Sequence, residues 1–370
     1  MFEIIKNDRL NKGDNMKYVL YFFSAMAISA LLIIPVKKIG LKYDLVAKEN
    51  QRTVHHGRIV RIGGVAIYIA FILTSFFEIR QTRAFDGLII GASIVFLFGL
   101  LDDIFDLKPV IKLLGQFLAA TAAIFIGRIY LTDIHLIMGI KIESQIISYT
   151  ITYLWMMGIT NAINLIDGLD GLAGGFSIIV LFTLSFLSTL LGNSTFMIPI
   201  CLILAGATAG FLIYNFHPAS IFMGDCGSQL LGFVIASVSL YGFRKATFIT
   251  LGIPILLLFI PISDTFLAII RRKLKGQKIM SPDKGHLHHV LMNNMRLGQV
   301  GAVIVIYIMT ALFGLTAYLC IVDEIVGIIM LLILILLFDI FIEYTGMISN
   351  KYRPILNMLD KFKKAFVKND

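Results

Sequence analysis

Eleven runs of apolar residues follow one another along the chain, and they restrict its fold more than any other feature. Most of them are long enough for a helix to cross the roughly 30 Å hydrocarbon core of a bilayer. Hydrophobic residues make up 58% of the 370 residues and charged residues only 15%, which excludes an ordinary soluble domain. We therefore predict an all-α polytopic membrane protein with about eleven transmembrane helices. The runs lie near residues 18–35, 63–77, 87–101, 110–127, 146–160, 172–191, 196–214, 229–243, 247–270, 300–320 and 325–345.

Basic residues predict how these helices are oriented. Seven lysines and arginines lie between the first and second runs, and seven more lie between the ninth and tenth. Because cytoplasmic loops are rich in lysine and arginine, both loops are predicted to face the cytoplasm. This orientation divides the chain into an extracytoplasmic segment (1–17), a transmembrane domain (18–345) and a basic amphipathic cytoplasmic tail (346–370) on the anionic leaflet. Four basic residues within 1–17 oppose it.

Polar side chains recur at three-residue spacing in the stretch Asn161–Gly175, between two apolar runs. On a helix, Asn161, Asn164 and Asp167 share a broad face, while Asp170 lies off it. The glycines that follow permit a break in the helix or a close approach to a ligand. Carboxamides and carboxylates at a membrane boundary need partners, so we predict a site for a metal ion and phosphates. The alternative is a helix end capped by Asn and Asp.

Three acidic residues, Asp102, Asp103 and Asp106, lie within five positions at the end of the third run, and Lys112 follows. Such carboxylates repel one another unless a cation or proton neutralises them. Asp103 and Asp106 are neighbours on a helix, whereas Asp102 points elsewhere. We therefore expect Asp103 and Asp106 to bind as a pair while Asp102 takes part in acid–base chemistry. Solvated loop acids are the alternative.

Two further segments carry polar groups. Gly224-Asp225-Cys-Gly-Ser228 precedes an apolar run, which predicts a carboxylate and free amides at a helix start, where a phosphate or metal binds well. An Asp cap would use the same residue. His286, His288 and His289 fit a transition metal or a phosphate. Since no Cys or Glu completes a familiar zinc pattern, we predict phosphate contact.

All four polar segments are predicted to face the cytoplasm. A cation-coupled transporter would more often place its ionisable groups near the bilayer midplane. An intramembrane aspartyl protease would need a glycine two positions before the Gly-Asp pair, where Phe222 stands. Clustering at one interface favours an enzyme that joins a water-soluble, phosphate-bearing substrate to a lipid.

The four motifs together resemble those of the polyprenyl-phosphate N-acetylhexosamine-1-phosphate transferases. Pro282-Asp-Lys-Gly-His-Leu-His-His is most similar to the bacterial branch that transfers N-acetylglucosamine 1-phosphate to undecaprenyl phosphate. The phospho-N-acetylmuramoyl-pentapeptide transferases are the alternative branch. Val60 and Gln229 depart from the family pattern, and neither is expected to touch a catalytic group.

The resemblance implies a role for each site residue and a set of ligands. Mg²⁺, or alternatively Mn²⁺, is expected on Asn164 and Asp225, with Asp102 as the catalytic base and Asp103 tuning or sharing that role. The expected partners are a UDP-sugar, a polyprenyl phosphate lipid and the membrane, without nucleic acid; a homodimer stays open. We expect a multi-pass protein of the bacterial inner membrane with a cytoplasm-facing site and a single displacement rather than a covalent Asp intermediate. Phosphates are assigned to Lys112, His286, His288 and His289, substrate binding also to Asp106, uracil or ribose to Asp170, and support of the metal region to Asp167.

Overall fold

The computed structural model describes residues 12–47, 58–79, 82–135, 141–142, 144–191, 194–242, 245–246, 248–277, 285–348 and 353–358. These residues are overwhelmingly helical, and the only strands among them are two or three residues long. The all-α polytopic class is therefore confirmed. The chain forms two compact units, Met1–Leu258 and Phe259–Asp370.

The first unit is a bundle of nine helices among the described residues. Each apolar run up to residue 243 coincides with one of them, and several helices extend beyond the run into the polar motifs. The helices are α1 (Lys12–Lys42), α2 (Gly64–Glu78), α3 (Arg83–Phe105), α4 (Pro109–Thr121), α5 (Gln145–Ile166), α6 (Leu172–Leu190), α7 (Ser194–Asn215), α8 (Gly224–Gly242) and α9 (Phe248–Leu257), and a π-helical turn (Ala122–Ile126) continues α4.

Helix α8 lies at the centre of this unit. Every residue from Cys226 to Leu240 is buried, and α2, α3, α5, α6 and α7 pack around it. Glycines allow the closest approaches: a Cβ on Gly64 of α2 would lie 2.2 Å from the backbone nitrogen of Gly227. A Cβ on Gly99 of α3 would lie 2.6 Å from the carbonyl oxygen of Asp225. Small residues at helix contacts are how membrane helices pack closely.

A small sheet lies at the opposite ends of the helices from the polar motifs. Strand β1 (Asp133–His135) pairs antiparallel with β2 (Lys141–Ile142) and parallel with β3 (Lys245–Ala246). Ile134 lies opposite Ile142 on one side and Ala246 on the other. The strands join the segment after α4 to the segment after α8.

The second unit contains α10 (Phe259–Leu274), a three-residue helix α11 (Leu287–His289) with a π-helical turn (Val290–Asn294), α12 (Gly298–Val322) and α13 (Glu324–Thr345). The run 247–270, predicted as one span, is two helices, α9 and α10. Pro261 has no N–H to bond the carbonyl of Leu257, and its ring crowds that carbonyl, so the helix breaks there.

Eight helices within the described residues are long and apolar enough to cross a membrane. The count of eleven spans therefore stays a prediction, as do the domain limits at residues 17 and 345. Of the predicted amphipathic tail, residues 349–352 and 359–370 lie outside the described residues. A short helical segment at 354–358 begins with the backbone N–H groups of Ile355 and Leu356, which donate to the Glu343 carboxylate.

Candidate active site

Four helix ends of the first unit bring most of the predicted site residues together. Asp102 and Asp103 lie in the last turns of α3, Lys112 near the start of α4, Asn164 in the last turn of α5, and Asp225 in the first turn of α8. Each helix end leaves backbone groups without helical partners, so charged and polar side chains there have a structural use as well as a chemical one.

Lys112 joins two of these carboxylates. Its Nζ lies 2.5 Å from Oδ2 of Asp102 and 2.6 Å from Oδ2 of Asp225. The other Asp102 oxygen, Oδ1, accepts a hydrogen bond from the backbone N–H of Leu107 at 2.7 Å. One ammonium group therefore bridges two carboxylates and reduces the repulsion between them.

Asp103 caps helix α8. Its Oδ1 accepts from the backbone N–H of Asp225 and its Oδ2 from that of Cys226, both at 3.0 Å. The predicted amides at the start of α8 are thus present, but two of them are bound by a carboxylate from α3 and are not free for phosphate. A carboxylate at a helix N-terminus is favoured by the helix dipole. Both oxygens of Asp103 hold Asp225 in position.

Asp106 does not form the predicted pair with Asp103. It is the first residue after α3, has a φ of 51° and is exposed. Its carboxylate accepts from Arg61 Nη2 at 2.8 Å, and the same guanidinium donates to the carbonyl oxygen of Asp103. The expected pairing was wrong because the helix ends at Phe105, so the i,i+3 geometry of a helix does not continue to Asp106.

Asn164 is held by a hydroxyl group of α8. Its Nδ2 donates to Ser228 Oγ at 2.8 Å, and that hydroxyl donates to the carbonyl oxygen of Gly224. The amide nitrogen is therefore occupied, which leaves the carbonyl oxygen Oδ1 of Asn164 as the group that can serve a cation.

Three side-chain amides form a buried network next to Asp225. Asn161 Nδ2 donates to Gln116 Oε1 at 2.7 Å, and Gln116 Nε2 donates back to Asn161 Oδ1 at 3.2 Å and to Gln229 Oε1 at 3.4 Å. Gln229 Nε2 in turn lies 3.4 Å from Asp225 Oδ2. The expectation that Gln229 touches no proposed catalytic group was therefore wrong, because one turn of α8 separates it from Asp225.

The loop between α5 and α6 carries Asp167, whose side chain is half-buried. Withdrawal from water, followed by the negative charge of Asp225, raises the pKa of the Asp167 carboxyl from 3.8 to about 7. The carboxylates of Asp103 and Asp170 act in the same direction. Asp167 therefore faces the same cluster of acids as the helix ends.

Asp170 turns toward the segment that precedes α8. Its side chain has no exposed surface, and its Oδ2 lies 2.9 Å from His217 Nδ1 and accepts from the backbone N–H of Ala219 at 3.1 Å. Asn215 makes a parallel link, since its Oδ1 accepts from the backbone N–H of Gly171, which has a φ of 77°. The binding of uracil or ribose by Asp170 stays a prediction. Because Asp170 is buried, the half-exposed ring of His217 is the part of this pair that solvent reaches.

The predicted histidines all belong to the second unit. His286 Nδ1 lies 2.8 Å from Asp264 Oδ2, and the other oxygen of Asp264 accepts from the backbone N–H of Leu287 at 2.8 Å. Burial, followed by the neighbouring His289, lowers the pKa of His288 from 6.5 to about 3. His288 is thus a neutral, buried ring rather than a cation for phosphate, while His289 is half-buried.

The donors of the first-unit cluster are the oxygen ligands that Mg²⁺ prefers. Within the described ranges, no three His, Cys, Asp or Glu side chains are grouped so that they could hold a metal ion by themselves. Mg²⁺ usually takes only one or two carboxylates and completes its shell with water and substrate phosphates. The carboxylate of Asp225 and the amide oxygen of Asn164 fit that kind of site.

Comparison with known proteins identifies the family. The model of "Glycosyl transferase family 4" matches residues 85–243, which include the four helix ends. The "Probable undecaprenyl-phosphate N-acetylglucosaminyl 1-phosphate transferase" of Bacillus subtilis (strain 168) is 37% identical, over 96% of this chain and 99% of the relative. The chain belongs to glycosyl transferase family 4. The resemblance of its motifs to this family is thereby confirmed.

Two further relatives match over shorter stretches. The "Decaprenyl-phosphate N-acetylglucosaminephosphotransferase" of Mycobacterium tuberculosis (strain ATCC 25618 / H37Rv) is 33% identical over 70% of this chain and 71% of that protein. The "Phospho-N-acetylmuramoyl-pentapeptide-transferase" of Staphylococcus carnosus (strain TM300) is 29% identical over 80% of this chain and 97% of that protein.

Several partners of the predicted site residues were not themselves predicted as site residues. Arg61, Ser228, His217 and Asp264 each bond a predicted site residue. Asp264 could have been found from the sequence, since a lone acid inside an apolar run needs a buried partner. The other three are ordinary polar residues of loops and helix ends, and only the fold shows what they contact.

Proposed function

We propose that the protein transfers N-acetylglucosamine 1-phosphate from UDP-N-acetylglucosamine to undecaprenyl phosphate and releases UMP. The relative from Bacillus subtilis, named as an undecaprenyl-phosphate N-acetylglucosaminyl 1-phosphate transferase and matched over nearly the whole chain, supports the transferred group and the lipid acceptor. The basic loops support a site on the cytoplasmic side of a bacterial inner membrane. The reaction would be the first membrane step in making a cell-envelope glycan.

The contact of Lys112 with Asp102 and Asp225 carries this proposal. Phosphoryl transfer between two anions depends on positioning and on neutralising charge. Lys112 lies between two carboxylates at the membrane boundary. The lysine provides a cation for phosphates, and the carboxylates beside it provide anions for a metal. A structural ion pair would need only one of the two carboxylates.

We infer that Mg²⁺, or Mn²⁺ in its place, is held by Asp225 and Asn164. The metal would neutralise pyrophosphate charge and polarise the phosphorus that is attacked. Asp103 keeps the Asp225 carboxylate in place by capping α8, and Ser228 keeps the Asn164 oxygen free by taking its amide nitrogen. Asp167 adds negative charge near the metal ligands.

We propose that the transfer is a single displacement. An oxygen of the lipid phosphate forms a bond to the β-phosphorus of the nucleotide sugar, the bond from that phosphorus to the bridging oxygen breaks, and UMP leaves with the electron pair. A phosphate monoester has a second pKa of about 6 and is largely a dianion at neutral pH. Asp102 therefore has only a small fraction of protons to remove, and it also holds Lys112 near the phosphates.

UMP release by the purified full chain in detergent tests the function. The assay contains undecaprenyl phosphate and Mg²⁺ and compares UDP-N-acetylglucosamine with UDP-N-acetylgalactosamine and UDP-N-acetylmuramoyl-pentapeptide as donors. We expect UMP from the first donor alone, with loss on EDTA addition and a fall of at least 100-fold in Asp225→Asn. Asp86→Asn removes an exposed acid from the far end of α3 and is expected to retain activity.

The donor comparison also decides between branches of the family. The relative from Staphylococcus carnosus favours the muramoyl-pentapeptide donor as the second candidate. UMP from that donor would replace the proposed substrate. Folded protein that releases UMP from none of the donors would contradict the proposed transfer.

A further inference from the structure

The Lys112 ammonium occupies one of the two Asp225 carboxylate oxygens that the proposed metal ion could use, Oδ2. Its Nζ is 2.6 Å from Oδ2 of Asp225 and 2.5 Å from Oδ2 of Asp102. The Asp225 side chain is 24% exposed and the Asp102 side chain 10% exposed, so few waters reach these oxygens. The lysine is a built-in cation of this site.

A divalent cation on Oδ2 of Asp225 is incompatible with this lysine position. It would place two positive charges within a few ångströms of the ammonium, and like charges repel strongly where water is scarce. The same oxygen is also approached by Gln229 Nε2 at 3.4 Å, which leaves little room for a further ligand. One cation must leave the oxygen when the other binds.

Lys112 is suited to leave. Its side chain is 28% exposed, and a lysine stem has four rotatable bonds that let the ammonium move several ångströms. It lies near the start of α4, at the same face as the metal ligands Asn164 and Asp225. A pyrophosphate bound beside those ligands would offer it new oxygen partners.

We propose that Lys112 and the divalent cation exchange on Asp225, so that Lys112 is a tethered counter-ion that the metal displaces toward the phosphates of the nucleotide sugar. This inference rests on the proposed function, because it needs that metal and those phosphates. It makes Lys112 a residue that couples metal binding to nucleotide binding. A ligand that must displace a bound competitor shows an affinity reduced by the fraction of sites that are free.

Mn²⁺ binding to the purified full chain in detergent tests the exchange, with free Mn²⁺ measured by electron paramagnetic resonance and no nucleotide present. Lys112→Gln removes the competing charge, and we expect about tenfold tighter Mn²⁺ binding if the lysine occupies the oxygens about nine-tenths of the time. Lys112→Arg keeps the charge and should bind Mn²⁺ like wild type. Lys108→Gln removes an exposed charge just before α4 and should also match wild type.

A second measurement addresses coupling. Addition of UDP should tighten Mn²⁺ binding more in the wild type than in Lys112→Gln, because only the wild type gains new partners for a displaced ammonium. If Lys112→Gln does not fold, Lys112→Met is a second neutral variant of similar length. Thermal unfolding of each variant shows that the comparison is between folded proteins.

Equal Mn²⁺ affinity in wild type and the neutral variants would overturn the exchange, as would equal tightening in Lys108→Gln. UMP release by the wild type separates this failure from failure of the proposed function. Protein that releases UMP without a Lys112 effect on Mn²⁺ rejects the exchange alone. Protein with the Lys112 effect on Mn²⁺ but no UMP release from any UDP-sugar rejects the proposed function alone.

Discussion

At the residue scale, Asp103 acts on the site through hydrogen bonds from the backbone of another helix, α8. Both carboxylate oxygens accept N–H groups at the start of α8, one of them from Asp225 itself. Asp103→Asn keeps one acceptor but replaces the other with a donor, so one N–H loses its partner. We expect UMP release to fall by at least tenfold and stability to fall by about 1–2 kcal/mol, the usual effect of losing a helix cap.

Asp86→Asn, at the other end of the same helix, is the matched control for this variant. Both changes exchange one acid of α3 for its amide, but only Asp103 contacts α8. Wild-type UMP release by Asp103→Asn, measured with thermal unfolding in the same detergent, would show that the cap does not position Asp225.

Asp167 is a site residue whose ionisation lowers the stability of the folded protein. Its folded pKa of about 7 lies above its ordinary value of 3.8, so the folded protein holds the proton more tightly than the unfolded chain. Stability is therefore lost as pH rises from 3.8 through 7. At pH 8, Asp167→Asn should be more stable than wild type by about 1–2 kcal/mol. This difference is smaller than the full pKa shift implies, because water screens a partly exposed carboxylate.

The same variant should lose UMP release, since it removes negative charge from the metal region. Thermal unfolding at pH 8 and pH 5 checks the stability half of this prediction. The advantage of Asp167→Asn should shrink at pH 5, where the wild-type carboxyl is protonated in the fold. A constant difference between the two pH values would contradict it.

At the element scale, glycines decide how closely α2 approaches α8. A Cβ on Gly64 would lie 2.2 Å from the backbone nitrogen of Gly227, and backbone cannot move aside as a flexible side chain does. We expect Gly64→Ala to lower stability by about 1–3 kcal/mol, typical of overpacking. UMP release should fall as well, because the start of α8 carries Asp225.

Gly158→Ala is the control for this change. Gly158 lies within α5 with nothing within 4 Å of an added Cβ, so its substitution should leave stability unchanged or raise it by up to about 1 kcal/mol through helix propensity. Thermal unfolding of both variants measures the difference. Equal effects at the two positions would mean that close packing on α8 is not what Gly64 provides.

The positions of the helices could be predicted because each apolar run is bounded by polar or glycine-rich sequence. The residues at which the helices end were harder to predict. Helices α3 and α5 extend into the motifs and carry Asp103 and Asn164 on their last turns. The break between α9 and α10 was missed because hydropathy continues across it, although Pro261 is a sequence signal for it.

At the scale of the whole molecule, the positions of the polar motifs could be predicted from the sequence, but the contacts that their side chains make could not. Motifs mark Asp103, Lys112 and Asp225 because charges are rare beside membrane spans. Their contacts join residues 113 and 122 positions apart. Sequence spacing describes neighbours on one helix, and it wrongly paired Asp103 with Asp106.

The second unit should lose stability in mild acid through His288. Its folded pKa of about 3 lies below its ordinary value of 6.5, because burial and the neighbouring His289 and His286 lower the pKa more than the Asp264 carboxylate raises it. The unfolded chain binds the proton more readily, so stability falls as pH drops below 6.5 toward 3. The loss should approach about 1.4 kcal/mol for each pH unit.

Thermal unfolding from pH 7 to pH 5 measures this loss. His288→Gln has no such proton to take up and should show a shallower decline over that range. A decline in His288→Gln as steep as that of wild type would assign the acid sensitivity to other groups.

The central place of α8 has a consequence for how the protein is made. The helices that pack most closely around it, α2, α3, α5, α6 and α7, all precede it in the chain. A ribosome therefore releases the helix bearing Asp225, Ser228 and Gln229 only after its neighbours have been synthesised. Its polar residues can therefore pack directly against helices that have already been made, without first being exposed to lipid tails.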